Sequence, residues 1–237
     1  LSTAFCAGMI VAGIPVPVAM LAALVIGVIF GVVSGFLVTK GRLQPFIATL
    51  ITMTVYRGVT MIYTEGKPIS GLGSSAFLKF IGKGAVFGIP FPVIVLVVVF
   101  AIFYFVLNKT TFGRRIYATG SNAECAKLAG VNINKTKLIA YGVSGLMSAM
   151  AGLILLSRLS SAQPTLGSGY ELDAIAAVAL GGTSMNGGRG KITGTLFGVL
   201  IIAVLSNGMN ILGISSYYQD VVKGIVILLA VLSGRKR

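Results

Sequence analysis

The chain has 237 residues, of which 56% are hydrophobic and 10% charged, and a formal net charge of +14. With a mean hydropathy of +0.97, so few charges exclude a water-soluble domain of this length. The basic excess does not point to nucleic acid, because Lys and Arg sit mainly between apolar runs rather than along one stripe.

The chain opens at Leu1 with no signal peptide, and its first apolar run, to about Gly13, is too short for ~30 Å of hydrocarbon. Spans ahead of it are therefore expected to be missing. A second span is predicted from Pro17 to Thr39, ending at Lys40-Gly41-Arg42. It carries Gly27, Gly31 and Gly35, one glycine at every fourth position. In water each Gly in a helix costs roughly 1 kcal/mol against Ala. In a bilayer the same spacing lets two backbones approach and pack.

A third span follows from Pro45 to Tyr63, with Pro at the first turn, where its missing N–H costs nothing. Residues 64 to 89 are predicted as a Gly-, Ser- and Lys-rich loop, and Phe91 to Leu107 as a span. Residues 108 to 136 form a long basic loop. Lys137 to Ser157 is a further span, followed by a polar loop to Tyr170. The apolar segment Leu172 to Leu180 is only half a membrane long at ~1.5 Å per residue. A Gly-rich loop, Gly181 to Gly190, leads into a span from Ile192 to Ser206; Gly190 at the loop's end, with Gly194 and Gly198 in the span, repeats the four-residue glycine spacing. A last span, Tyr218 to Leu232, stops at Arg235-Lys236-Arg237.

The basic residues fix an orientation. Lys40, Arg42, the Lys and Arg of 108–137, Arg189, Lys191 and the carboxyl terminus fall on one side, which is the cytoplasmic one. Lys67, Lys79, Lys83 and Arg158 fall on the other. Gly13-Ile-Pro-Val-Pro-Val18 and Gly88-Ile-Pro-Phe-Pro-Val93 open two inward-running spans. They read either as an internal duplication or as a convenient way to begin a helix.

Three segments are candidates for function. In the basic loop, Ser121 and Glu124 have capping-box spacing, and Gly130 suits the left-handed position after a helix end. Between them lies a two-turn helix of small residues, Ala123, Ala126 and Ala129, with Leu128. It reads as a solvated or lipid-surface helix, or as a rigid knob that docks on a cytoplasmic partner. The second segment runs from Tyr170 to Gly198. Glu171 and Asp173 at its start complement the helix dipole, or Asp173 touches a solute directly. The Gly181–Gly190 loop is not a P-loop, because Lys191 is followed by Ile192. Irregular backbone at membrane depth lies buried in protein or lines a watery cavity. Gly181, Gly182, Thr183, Ser184 and Asn186 would then face a passing solute, or form a tight packed turn. The third is Arg57, inside its span, which is either functional or snorkels to the outer interface; Lys223 reads as a snorkelling residue. No histidine is present, and Cys6 and Cys125 support neither a disulfide framework nor a metal site. No catalytic, cofactor-binding or metal-binding constellation is expected.

Asn122-Ala-Glu-Cys-Ala-Lys-Leu-Ala-Gly130, continuing Val-Asn-Ile-Asn-Lys-Thr-Lys137, resembles the coupling loop of the sugar-transporting permeases of bacterial ATP-binding-cassette importers. The resemblance extends through Phe46-Ile-Ala-Thr-Leu50, Arg57-Gly-Val-Thr60, Leu159-Ser-Ser-Ala-Gln-Pro164 and Gly169-Tyr-Glu-Leu-Asp-Ala-Ile-Ala-Ala177. It continues in Leu180-Gly-Gly-Thr-Ser184, Gly187-Gly-Arg-Gly190 and Ser215-Ser-Tyr-Tyr218. It covers essentially the whole chain. Departures are Cys125, where the family often has Ala, and the missing amino-terminal spans. It implies an all-α polytopic membrane bundle with a broken half-helix, forming one permease domain over 1–237 with a coupling loop at 108–136. It also implies passage of a neutral pentose through a homodimer in the bacterial inner membrane, with a cytoplasmic ATPase that hydrolyses the ATP and an extracytoplasmic sugar-binding protein. Ser121, Asn122, Ala123, Glu124, Ala126, Leu128 and Gly130 would contact the ATPase. A permease for another small polar solute is the near alternative. An ion-coupled transporter would need an intramembrane carboxylate, whereas the carboxylates here lie near span ends or in loops. A non-transporting scaffold would have no need of the half-helix and Gly-rich loop.

Overall fold

The computed structural model describes residues 1–72 and 76–235, without the side chains of Ile227 and of 229–235. Residues 73–75 of the outer loop and 236–237 of the basic terminus lie outside the described set. The architecture is all-α, with eleven helices and one two-stranded hairpin among the described residues. Among the described residues, five helices are long and apolar enough to cross a membrane: α2 (Val16–Thr39), α3 (Pro45–Thr64), α5 (Phe91–Lys109), α8 (Ile133–Leu159) and α10 (Ile192–Ile211). The chain divides into two compact units, 1–98 with 134–166, and 99–133 with 167–237.

In the first unit, α1 (Ser2–Val11) and α2 pack through small residues. Cys6, Ala7, Ala19 and Ala23 are fully buried and share a core with Leu78, Leu153 and Leu156. The α2 glycines face α8. A Cβ on Gly31 would collide with the Tyr141 carbonyl oxygen, and one on Gly27 would stand 2.5 Å from the Ala149 Cβ and 2.9 Å from the Gly145 carbonyl oxygen. One on Gly35 would come within 3.0 Å of the Tyr141 Cβ. The seam is closest at Gly31, where α2 meets the α8 backbone directly, with small or Cβ contacts on either side. A polar seam joins α2 to α3: the Ser34 hydroxyl donates to Thr52 Oγ1 at 3.1 Å, and the Tyr56 hydroxyl to the Phe30 carbonyl at 3.1 Å. Such interhelical bonds contribute about 0.6 kcal/mol each in membranes, so the close backbone packing carries more of the order.

The outer loop is not simply a loop. It holds α4 (Ala76–Lys83) and a hairpin of β1 (Ala85–Val86) and β2 (Ile89–Pro90). An eight-residue helix is marginal alone. Here tertiary contact supports it: Leu78 and Gly82 are buried, and a Cβ on Gly82 would come within 2.6 Å of the Arg158 nitrogen. A bridge between Ile69 and Ala162 ties the same region down.

In the second unit, the basic loop likewise turns out helical. α6 (Thr111–Ser121) begins where Thr110 Oγ1 accepts from the Gly113 N–H at 3.3 Å. α7 (Ala123–Leu128) follows after a single residue. The half-helix is α9 (Tyr170–Leu180), which at 11 residues reaches only ~16 Å. It packs on α10, with Ala176, Ala177 and Ile202 buried between Leu180 and Val226 of α11 (Ser216–Arg235). Cβ atoms on Gly194 and Gly198 would strike the carbonyl oxygens of Gly181 and Ala177.

Gly13 (φ 89) and Gly88 (φ 79) both take the left-handed conformation, and each precedes a helix that starts three residues later. A stronger internal echo pairs Gly8-Met-Ile-Val-Ala-Gly13-Ile14 with Gly208-Met-Asn-Ile-Leu-Gly213-Ile214. Ile14 N–H bonds the Met9 carbonyl at 3.0 Å and Ile214 N–H bonds Met209 at 3.0 Å; Gly13 reaches Ile10 at 3.0 Å and Gly213 reaches Asn210 at 3.1 Å. Both are Schellman closures between consecutive helices.

Candidate functional site

The exposed knob α7 is built by its caps. Its N-cap is Asn122, not Ser121: the Asn122 carboxamide oxygen accepts from the Cys125 N–H at 3.0 Å. Ser121 is the last residue of α6. The chain must leave helical geometry to start a new helix, and it does so at Asn122 (φ −155, ψ 110). Glu124 lies in the first turn, where its charge favours the helix dipole. At the other end Gly130 is left-handed (φ 80). Its N–H bonds Lys127 at 3.0 Å, and the Val131 N–H bonds Ala126 at 2.9 Å. Two closed ends hold a helix too short to persist on its own. Ala126 is buried, whereas Leu128 is 89% exposed. Ala123 is half-buried, and Asn122 and Glu124 are exposed. The knob therefore presents a free leucine, a carboxylate and backbone to water.

The Gly181–Gly190 loop is closed on itself. The Thr183 N–H bonds Val178 at 3.2 Å and ends α9. The Ser184 N–H bonds the Arg189 carbonyl at 2.8 Å, while Ser184 Oγ accepts from the Asn186 N–H at 3.3 Å. Gly182 (φ 78), Gly187 (φ 87) and Gly188 (φ 74) are left-handed. Thr183 lies against Gly190, where a Cβ would meet its side chain at 2.8 Å. Thr183 and Ser184 are half-buried and Asn186 is exposed.

Asp173, on the first turn of α9, is ion-paired. Lys223 Nζ of α11 donates to Asp173 Oδ2 at 2.9 Å, with the side chains 20% and 26% exposed. Lys223, which the sequence suggests as a snorkelling residue, is thus paired with the half-helix carboxylate. Glu171 instead accepts from the Gly169 N–H at 3.1 Å. Arg57 belongs to the first unit, is exposed on α3, and has no ion pair or side-chain hydrogen bond among the described residues.

Two features escape sequence reasoning. Tyr117 of α6 donates its hydroxyl to the Gly190 carbonyl at 3.0 Å, which brings the basic segment onto the Gly-rich loop. The Asp173–Lys223 pair spans 50 residues. Two opposite charges in otherwise apolar segments were its only signal, since membrane charges generally pair.

Residues 1–231 match the family model described as "Branched-chain amino acid transport system / permease component". The chain is 55% identical over 237 residues to the "Ribose import permease protein RbsC" of Bacillus subtilis, covering all of this chain and 74% of that protein. It is 51% identical over 235 residues to the protein of that name from Haemophilus influenzae, covering 98% and 73%. Against the "L-arabinose transport system permease protein AraH" of Escherichia coli it is 44% identical over 203 residues, covering 86% and 61%. No solved structure matches. With its five apolar spans, the chain belongs to this family of bacterial transport permease components and is a multi-pass protein of the inner membrane.

Proposed function

We propose that this chain is the permease subunit of an ATP-binding-cassette importer that carries ribose into the cell. The observation that carries this is 55% identity along the entire chain to a ribose import permease. The family description names branched-chain amino acids, so substrate is the point to test. A strain lacking its own ribose permease, supplied with this chain and the remaining importer subunits, should take up labelled ribose and not labelled leucine. Leucine uptake without ribose uptake would overturn the reading.

On this reading the chain forms one permease domain over 1–237, acts as a homodimer, leaves ATP hydrolysis to a separate cytoplasmic subunit, and receives sugar from an extracytoplasmic binding protein. The 108–136 segment is the coupling element. Ser121, Asn122, Ala123, Glu124, Ala126, Leu128 and Gly130 build or present its knob, with exposed Leu128 as the anchor an apolar pocket would take. Glu124→Lys places a cation at a helix start and should abolish uptake while the protein stays in the membrane. Asn122→Ala, which removes a cap worth roughly 1 kcal/mol, should weaken co-purification with the ATPase. Unchanged co-purification and uptake in both variants would sink the assignment.

For the sugar path, Arg57, Asp173, Gly181, Gly182, Thr183, Ser184 and Asn186 are the candidates. Asp173 meets Lys223, so the neutral donors and acceptors of the loop are the better match to sugar hydroxyls. Ser184→Cys should react with a small polar thiol reagent, at a rate that changes when the ATPase is trapped with nucleotide. Cys6 is buried and Cys125 exposed, so replacing Cys125 removes the competing signal. An inert cysteine in a transport-competent protein would mean a dry turn.

A further inference from the structure

The knob and the Gly-rich loop are joined by one helix. α6 ends at Ser121 and α7 begins at Ala123, so a displacement of α7 passes to α6 with one residue of slack. At the same end, in its last two residues, α6 touches the loop by backbone. A Cβ on Gly120 would stand 2.6 Å from the Gly188 nitrogen, and one on Gly188 would stand 2.6 Å from the Ser121 Cα. One turn earlier the Tyr117 hydroxyl holds the Gly190 carbonyl at 3.0 Å. The glycines at 187 and 188 are left-handed, which shapes the loop to receive a helix at this range. Beyond the joint the structure stays stiff. The loop is closed by the Ser184–Arg189 bond of 2.8 Å, and it continues directly into α9 and α10, which meet backbone to backbone at Gly181 and Gly194.

We infer that the Tyr117–Gly190 hydrogen bond and the Gly120–Gly188 contact form the joint that relays movement of the coupling helix into the Gly-rich loop and the α9–α10 pair. This rests on the reading of α7 as the ATPase contact. Tyr117 and Gly120 are positioning residues: they relay and do not themselves touch ATPase or sugar. Close-packed contacts transmit displacement because they resist gradual deformation. A glycine-on-glycine contact leaves no flexible side chain to absorb it.

The test is the assembled importer in liposomes, with ribose uptake and ATP hydrolysis measured together. Gly120→Leu should leave the ATPase bound and hydrolysing ATP, and lower ribose moved per ATP by roughly tenfold, since a side chain forced against backbone must part the two segments. Tyr117→Phe, which removes one hydroxyl, should lower the same ratio by roughly threefold to fivefold. A merely structural defect would depress uptake and hydrolysis together and leave the ratio unchanged. An unchanged ratio in both variants overturns the proposal. Loss of the bound ATPase in both also overturns it, because the contact would then position α7 rather than relay its motion. If Gly120→Leu fails to accumulate, Tyr117→Phe decides alone. Failure of the underlying reading shows elsewhere, as Glu124→Lys that still binds ATPase and transports.

Discussion

Gly194→Leu and Gly31→Leu are each expected to lower the detergent melting temperature by roughly 5–10 °C. The estimate combines an overpacking cost of ~1–3 kcal/mol with a few degrees per kcal/mol at this chain length. The physical reason is that both glycines face backbone. At Gly194 a Cβ would strike the Gly181 carbonyl oxygen, and at Gly31 the Tyr141 carbonyl oxygen. Neither carbonyl can swing away as a side-chain tip can, Tyr141 lying inside α8 and Gly181 being the residue that caps α9, so the helices themselves must separate. Separation forfeits the packing that holds helices together in lipid, where no hydrophobic drive replaces it. Gly58 supplies the contrast: it is helical, yet a Cβ there meets nothing within 4 Å. Gly58→Leu should cost no stability, and the helix should gain up to ~1 kcal/mol from replacing glycine. If all three variants melt alike, the glycine seams are not what orders the two units. Uptake cannot stand in for melting here, because Gly194 also lies beside the proposed relay.

The same glycine positions show how much of the fold can be read from the chain. The membrane helices are legible because a span must satisfy its backbone internally over some twenty apolar residues. Their observed bounds, such as Val16–Thr39 and Phe91–Lys109, lie within a few residues of the apolar runs. The half-helix is legible for the converse reason, as an apolar run that ends too soon. α4 and α6 are not legible. Thr111–Ser121 contains two glycines and two arginines and is no strong helix former; Thr110 caps it, and the contacts of Tyr117 and Gly120 with the loop support it. Those contacts join residues about seventy positions apart and leave no local pattern. The cap of α7 illustrates a finer limit. Ser121 and Asn122 are both good N-caps, and Ser121 has the better spacing to Glu124. The choice falls to Asn122 because α6 extends through Ser121, a fact that depends on the unread helix. In the site, the knob was visible as a capped segment, whereas what it rests on was not.

Asp173→Ala and Lys223→Ala should each reduce ribose uptake and thermal stability, whereas the double variant should recover most of what either loses. Lys223 Nζ lies 2.9 Å from Asp173 Oδ2, with side chains 20% and 26% exposed. This pair joins α9 to α11 inside the second unit, in segments that are otherwise largely apolar. Removing one partner from a buried pair costs ~3–5 kcal/mol, mostly because a bare charge is left behind. The partial exposure here brings the expected cost down to or below the bottom of that range, roughly 2–3 kcal/mol, which corresponds to a melting shift of several degrees. Replacing both partners removes the stranded charge as well as the attraction, and such replacements are often near neutral. The pattern separates two roles for Asp173. As the anchor of a half-helix, its loss is repaired by also removing Lys223. As a sugar ligand, it would be missed equally in the double variant, which would transport no better than Asp173→Ala alone. The geometry favours the anchor, because the Lys223 ammonium already neutralises the carboxylate through Oδ2 and ties it to α11. It also weighs against ion-coupled transport, since a coupling carboxylate must be free to take up and release its ion, and this one is held by a lysine of α11. Melting curves and ribose uptake on the two single variants and the double, at matched membrane abundance, decide between these roles.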